Sequence, residues 1–294
     1  MTEEAYRPLK PATALRRNVR GVEYFVRSWG PASARPLVML HGTRDSSVTF
    51  QFLVDALGQE RRILAPDWRG HGQSPFPTHA WFHDYLADLD ALLNWLLPDQ
   101  AVDLLGHSLG GNVASVYAGL RPGRVRHMVS LDAFGINPLT EEEFPDLLLG
   151  WIQSDRAVAA GPRYASIEQM AQKLCASNRR LHADQAAFLA ANLSRALPDG
   201  GYGWQFDVVR RRSMPTFHTL GEWVACWQRI TARTLWVAAS DAMPKTVRAN
   251  PESFAFVTKH ISPDALVFLP DTGHNLHHDA PLALAAIVEG FLGP

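Results

Sequence analysis

Three stretches carry residue types that could do chemistry together. In the first, Gly106-His107-Ser108-Leu109-Gly110, a serine sits between two glycines. A short apolar run at 102–105 precedes it, and the helix-like run LGGNVASVYAGL at 109–120 follows. A tight strand–turn–helix bend of this kind lifts a serine hydroxyl clear of the backbone, and bulky neighbours would clash there. The helix start then points free N–H groups and the positive dipole end at developing negative charge. A serine hydroxyl is a weak nucleophile until a base takes its proton. The second stretch, FLPDTGHNLHHDAP at 268–281, offers His274 in a loop right after a strand-like run. The third, MLHGTRDSS at 39–47, places a Gly-Thr pair after another buried run. The backbone N–H groups of Thr43 and Leu109 are the candidate oxyanion donors for a negatively charged intermediate.

A base of this kind needs a carboxylate to hold its tautomer and stabilise its cation. Two residues compete. Asp241 lies in VAASDAMPK at 237–245, and Asp132 lies in VSLDAFG at 129–135. Each ends an apolar run. Adjacent strands lie ~4.8 Å apart, so the two positions differ by the width of one strand. On the residues alone both stay open. His277 and His278 read as the approach to the last helix. The cluster HNLHHD at 274–279 matches no standard zinc spacing, so no metal is expected. His41, His71 and His107 fall in turns, where structural hydrogen bonding is the expected role.

These residues must be held by a scaffold, and the chain's rhythm indicates which. Short apolar runs at 22–30, 35–42, 61–67, 101–107, 125–132, 233–240 and 265–270 read as strands. Helical patterns lie between most of them. That alternation predicts an α/β fold with a mostly parallel sheet covered by helices on both faces. From 136 to 231 the strand signal stops. Ile167, Met170, Ala171 and Leu174 share one helical face, and Leu189, Leu193 and Leu197 recur every four residues. The expectation is an α/β core of residues 1–135 and 232–294 with an all-helical cap at 136–231. The cap is rich in aromatics: Trp151, Tyr164, Tyr202, Trp204, Phe206, Phe217, Trp223 and Trp227. Most should pack helices together, and a few should line an apolar pocket over Ser108.

The bulk numbers narrow the classes of partner. The 294 residues are 47% hydrophobic and 19% charged, enough for a large buried core. Net charge is −1, so nothing points to nucleic acid or an anionic membrane, and VVRRRS at 208–213 reads as a solvated surface run. The N-terminal residues lack an apolar signal core, and no window reaches the ~18 apolar residues that span a bilayer. Cys175 and Cys226 fit neither a disulfide framework nor a zinc site. The expected partner is a small-molecule substrate in a cytoplasmic setting, without cofactor, membrane or nucleic acid, and a homodimer is compatible with this composition.

The motifs HGT (41–43), DWRGHGQS (67–74), GHSLGG (106–111) and DTGHNLHHDAP (271–281) together resemble the α/β-hydrolase fold serine hydrolases over nearly the whole chain. HGTRD, LDAFG and KLCASNRRL are similar to the serine hydrolase-like branch. The resemblance implies a nucleophile after strand 5, a histidine after strand 8 and a helical cap after strand 6. It implies a triad acid after strand 7, often as Gly-x-x-Asp, which makes Asp241 the favoured acid and Asp132 the alternative; here Ala238 stands where glycine is common. Some lipases and the cofactor-independent dioxygenases of this fold place the acid after strand 6. The implied activity is hydrolysis of a carboxylic ester or related acyl bond of a small hydrophobic substrate. Carbon–carbon hydrolysis of a diketone and cofactor-independent oxygenation by the His/Asp pair are the alternatives.

Overall fold

The structure is a computed structural model that describes residues 5–77, 80–135, 140–153, 161–206, 219–240, 251–260 and 265–294. Eight strands form one sheet: β1 (Thr13–Val19), β2 (Val22–Trp29), β3 (Pro36–Leu40), β4 (Arg62–Pro66), β5 (Val102–His107), β6 (Val125–Leu131), β9 (Arg233–Ala239) and β10 (Leu266–Leu269). Their order across the sheet is β1-β2-β4-β3-β5-β6-β9-β10. β1, β2 and β4 pair antiparallel, and every pairing from β4 to β10 is parallel. The central β5 is buried along its whole length, which is why its sequence is a continuous apolar run. β1, which the sequence pattern does not flag, is mostly exposed and carries Arg16 and Arg17. Charge on an edge strand discourages pairing with another chain.

Helices cover both faces. On one lie α2 (Phe82–Leu96), α3 (Leu109–Leu120), α7 (Leu220–Trp227) and α8 (Pro251–His260). Leu89, Leu93 and Leu96 of α2 are buried there, as their helical spacing predicts. On the other face lie α1 (Gln51–Ala56), α9 (Leu276–Asp279) and α10 (Pro281–Leu292). The chain passes from β3 outward to β4, then returns past β3 to β5. The strand order therefore reverses between β3 and β5, and beyond the carboxyl ends at such a reversal open α/β sheets bind their ligands.

Between β6 and β9 lie α4 (Phe144–Gln153), α5 (Ile167–Ser177) and α6 (Ala183–Leu193), followed by β7 (Ser194–Ala196) and β8 (Tyr202–Trp204). The expectation of an all-helical segment is corrected by the β7–β8 hairpin. Its three-residue strands are too short to carry a period, and α6 ends at Leu193 rather than running on to Leu197. Gly200 and Gly201 take positive φ values of 91° and 75° and close the hairpin. Met170, Leu189 and Leu193 pack with Trp204 against Val48 and Phe52 of the core. Trp223 and Trp227 of α7 instead join the large core beside α3, where Gly119 leaves room for the Cys226 backbone. Among the described residues, no helix is long and apolar enough to cross a membrane.

Candidate active site

Ser108 sits between β5 and α3 with φ 52° and ψ −117°. That backbone conformation costs a non-glycine residue about 1–3 kcal/mol and persists only where its surroundings enforce it. The neighbouring glycines are part of that enforcement. A Cβ on Gly106 would strike the Gly110 backbone, and one on Gly110 would strike the Leu40 carbonyl. Strand, turn and helix thus cross closer than side chains allow. The Ser108 N–H donates to the Leu131 carbonyl at 3.0 Å, which ties the turn to β6.

The loop after β3 comes down beside this turn. A Cβ on Gly42 would lie 3.1 Å from Ser108 Cβ and 3.0 Å from His107 Nδ1. Thr43, the next residue, is exposed at the rim, and Leu109 opens α3, where first-turn N–H groups have no intrahelical partner. A second turn buttresses this loop. The Trp68 N–H donates to His41 Nε2 at 2.9 Å, and Trp68 Nε1–H donates to the His41 carbonyl at 3.0 Å. Asp67 accepts the backbone N–H groups of Ser47 and Gln73 at 2.7 and 2.8 Å, and burial pushes its carboxyl upward. His41 Nδ1–H donates to the Gly42 carbonyl and His71 Nδ1–H to the Arg69 carbonyl, so both have the structural role expected of them. Burial holds His41 well below the usual imidazole range.

His274 lies in the loop between β10 and α9. Its Nδ1 is 2.7 Å from Asp132 Oδ2. With the carboxylate accepting that hydrogen bond, Nδ1 carries the proton and Nε2 keeps its lone pair, the tautomer a proton acceptor needs. Asp132 itself is fixed on both sides. Its N–H donates to the Val237 carbonyl at 2.8 Å, and its Oδ1 accepts the Ala239 N–H at 3.2 Å. The side chain of Asp132 is 1% exposed while that of His274 is 53% exposed. The acid is therefore shielded and the base faces outward. Of the two candidate acids, the structure brings the alternative, Asp132, to His274. Asp132 holds the Nδ1 position, the end of β9 acts through its backbone, and Asp241 lies outside the described residues.

The His274 loop is braced from three directions. His107 Nε2–H donates to the His274 carbonyl at 2.8 Å. Asp279 accepts the Gly273 N–H at 2.7 Å and Asn178 Nδ2–H at 2.7 Å, which links the end of α5 to this loop. Thr272 Oγ1–H donates to the Leu269 carbonyl at 2.7 Å. The aromatics of the β6–β9 segment mostly pack with one another. Trp204 Nε1–H donates to Tyr164 Oη at 3.1 Å, and Trp204 stacks on Phe206. The backbone of Phe206 bridges to that of His71, so this segment touches the core beside the second turn. Phe217 lies outside the described residues. Cys175 and Cys226 are free thiols.

Asp45 was not singled out in the sequence, and Asp279 was weighed there only as part of the HNLHHD cluster.

Comparison with known proteins bears on the kind of site this is. A family model described as alpha/beta hydrolase fold matches residues 35–281. A serine hydrolase-like protein of Danio rerio is 28% identical over 276 residues, covering 90% of this chain and 84% of the relative. Lipase LipV of Mycobacterium tuberculosis is 28% identical over 285 residues, covering 93% of this chain and 99% of the relative. A thioesterase domain from the curacin biosynthetic pathway shares the fold with a TM-score of 0.80 at 22% identity, covering 95% and 99% of the two chains. The chain belongs to the α/β hydrolase fold family, and it is similar to serine hydrolase-like proteins within it.

Proposed function

We propose that this protein hydrolyses a carboxylic ester or related acyl bond of a small, hydrophobic substrate through a Ser108–His274–Asp132 triad. The observation that carries this reading is the 2.7 Å contact between His274 Nδ1 and Asp132 Oδ2, which leaves Nε2 unprotonated in the loop beside the strained Ser108 turn. Ser108 Oγ attacks the acyl carbon as His274 Nε2 takes its proton. The N–H groups of Leu109 and Thr43 receive the oxyanion, and each such donor is worth on the order of 10²–10³ in rate. His274 then protonates the leaving alcohol. Water, deprotonated by the same imidazole, resolves the acyl-enzyme. Residues 136–231 act as a cap over the site, and the lipase among the relatives supports an apolar acyl group.

Short-chain p-nitrophenyl esters and a fluorophosphonate probe test this directly. The wild-type chain should turn over the ester and be labelled, and Ser108→Ala should lose both. Labelling that survives in Ser108→Ala would overturn the assignment.

A second reading draws on the same pair. An acid after the sixth core strand also suits cofactor-independent oxygenation, with His274 and Asp132 as the base pair. Dioxygen uptake that persists in Ser108→Ala would favour that reading.

A further inference from the structure

Beneath the catalytic loop, three side chains from three separate elements converge. Asp45 follows β3, His107 ends β5 and His277 lies in α9. One ligand atom from each falls within 4.8 Å of the other two. His107 is 2% exposed and His277 is fully buried, and the Nδ1 atoms of both lack a hydrogen-bond partner among the described residues. Unpaired buried ring nitrogens are costly, so a close pair of them calls for an explanation.

The hydrogen bonds on the far side of each ring define what those nitrogens are. His107 Nε2 faces the His274 carbonyl at 2.8 Å, and a carbonyl can only accept. The proton is therefore on Nε2, and Nδ1 is a bare lone pair. Thr49 Oγ1 lies 2.8 Å from His277 Nε2 and 2.6 Å from His278 Nε2. A hydroxyl has one proton and two lone pairs. It can therefore accept from both imidazoles, each of which then carries its proton on Nε2. His277 Nδ1 is then a lone pair too. Two imidazole lone pairs and a carboxylate face one another with no donor between them.

We propose that Asp45, His107 and His277 bind a single divalent transition-metal ion of the zinc, cobalt or nickel type. Two imidazoles and one carboxylate favour these ions over magnesium or calcium, which prefer all-oxygen sites. Each imidazole is already oriented by a hydrogen bond at its other nitrogen, as metal-binding histidines are. Bonds of about 2.0–2.1 Å place tetrahedral ligands about 3.3 Å apart, so the cluster must contract by on the order of 1 Å. Asp45, only half-buried, is the ligand free to move and the side from which an ion enters. The fourth position falls to water. The His107 and His274 ring centroids are 4.8 Å apart, so a bound cation sits close to the catalytic imidazole and opposes its charging. The ion is thus an inhibitor, a consequence that rests on the proposed role of His274.

Titration of the full-length chain with zinc chloride by calorimetry, and with cobalt(II) followed by visible absorption, tests the site apart from activity. One ion per chain and a tetrahedral cobalt band are expected. Asp45→Asn should weaken binding at least about tenfold, and His277→Gln likewise, while His182→Gln on the exposed surface should not. Asp45→Asn keeps shape and hydrogen bonding at a half-buried position, so the test stands even if His277→Gln fails to fold. A wild-type chain that binds neither ion, or an Asp45→Asn chain that binds as tightly, overturns the proposal and leaves water as the occupant. Zinc binding without ester turnover would uphold the site and sink the proposed function. Ester turnover without zinc binding would do the reverse.

Discussion

At the scale of single residues, the choice of acid is the sharpest question. Asp132 adopts φ 46°, a left-handed conformation that aspartate tolerates better than most side chains. The bend turns its carboxylate from the end of β6 toward the His274 loop, while Ala239 of β9 donates to the other oxygen. Replacing Asp132 by asparagine should keep the size but favour the wrong imidazole tautomer. The expected loss is on the order of 10⁴ in kcat, measured on the ester that the wild type turns over. Asp241→Asn should leave turnover near the wild-type value. The reverse pattern would restore Asp241 as the acid. Sequence could not separate the two because each aspartate follows an apolar run, and the two runs form neighbouring strands, β6 and β9.

Elements place the serine, and here local sequence is informative. Strand β5, a turn and α3 follow one another without a gap, so their geometry is written in adjacent residues. Gly110 packs where any Cβ would meet the Leu40 carbonyl of β3. A backbone atom cannot move aside as a flexible side chain can. Gly110→Ala is expected to destabilise the fold by about 1–3 kcal/mol, read as a lower urea midpoint at unchanged slope. An unchanged midpoint would mean that β3 and α3 are less tightly apposed than described. The β7–β8 hairpin shows the opposite case. Its register is held by the turn bonds Leu197 N–H to Gly201 O and Gly200 N–H to Leu197 O, at 3.0 and 3.1 Å. The glycine pair signals a turn in the sequence, but three residues on each side are too few to announce a strand.

For the whole molecule, the reversal of strand order between β3 and β5 sets the loop after β3 beside the Ser108 turn, at the switch point where open α/β sheets form their ligand crevice. The buttress of that crevice has a pH signature. His41 Nε2 accepts the Trp68 N–H and Nδ1 donates to Gly42, so the ring is held neutral, and burial lowers its pKa well below the ordinary value. In the unfolded chain a histidine titrates near ~6.5. Above that pH both states are neutral and the group has no effect. Below it the unfolded chain binds the proton and the native one resists, so stability falls with falling pH. The urea midpoint should drop between about pH 6.5 and pH 5, and His41→Gln should show a smaller drop. An identical pH profile in the variant would remove His41 from the account.

The sequence alone determined Ser108 and His274 as candidates, the alternation of strands and helices, and the segment interrupting it after β6. Each is encoded over a few neighbouring residues, by glycines that permit close backbone crossings or by apolar periods that match one element. Tertiary structure decided what depends on residues far apart in the chain. Asp132 and His274 are separated by 142 positions, and Thr49 and His277 by 228. No local pattern registers which of two strand-end carboxylates reaches an imidazole that far along the chain. Nor does one reveal that Asp45, His107 and His277 meet beneath it. Those pairings follow from the order in which the strands assemble and from which loops the sheet brings together at one edge.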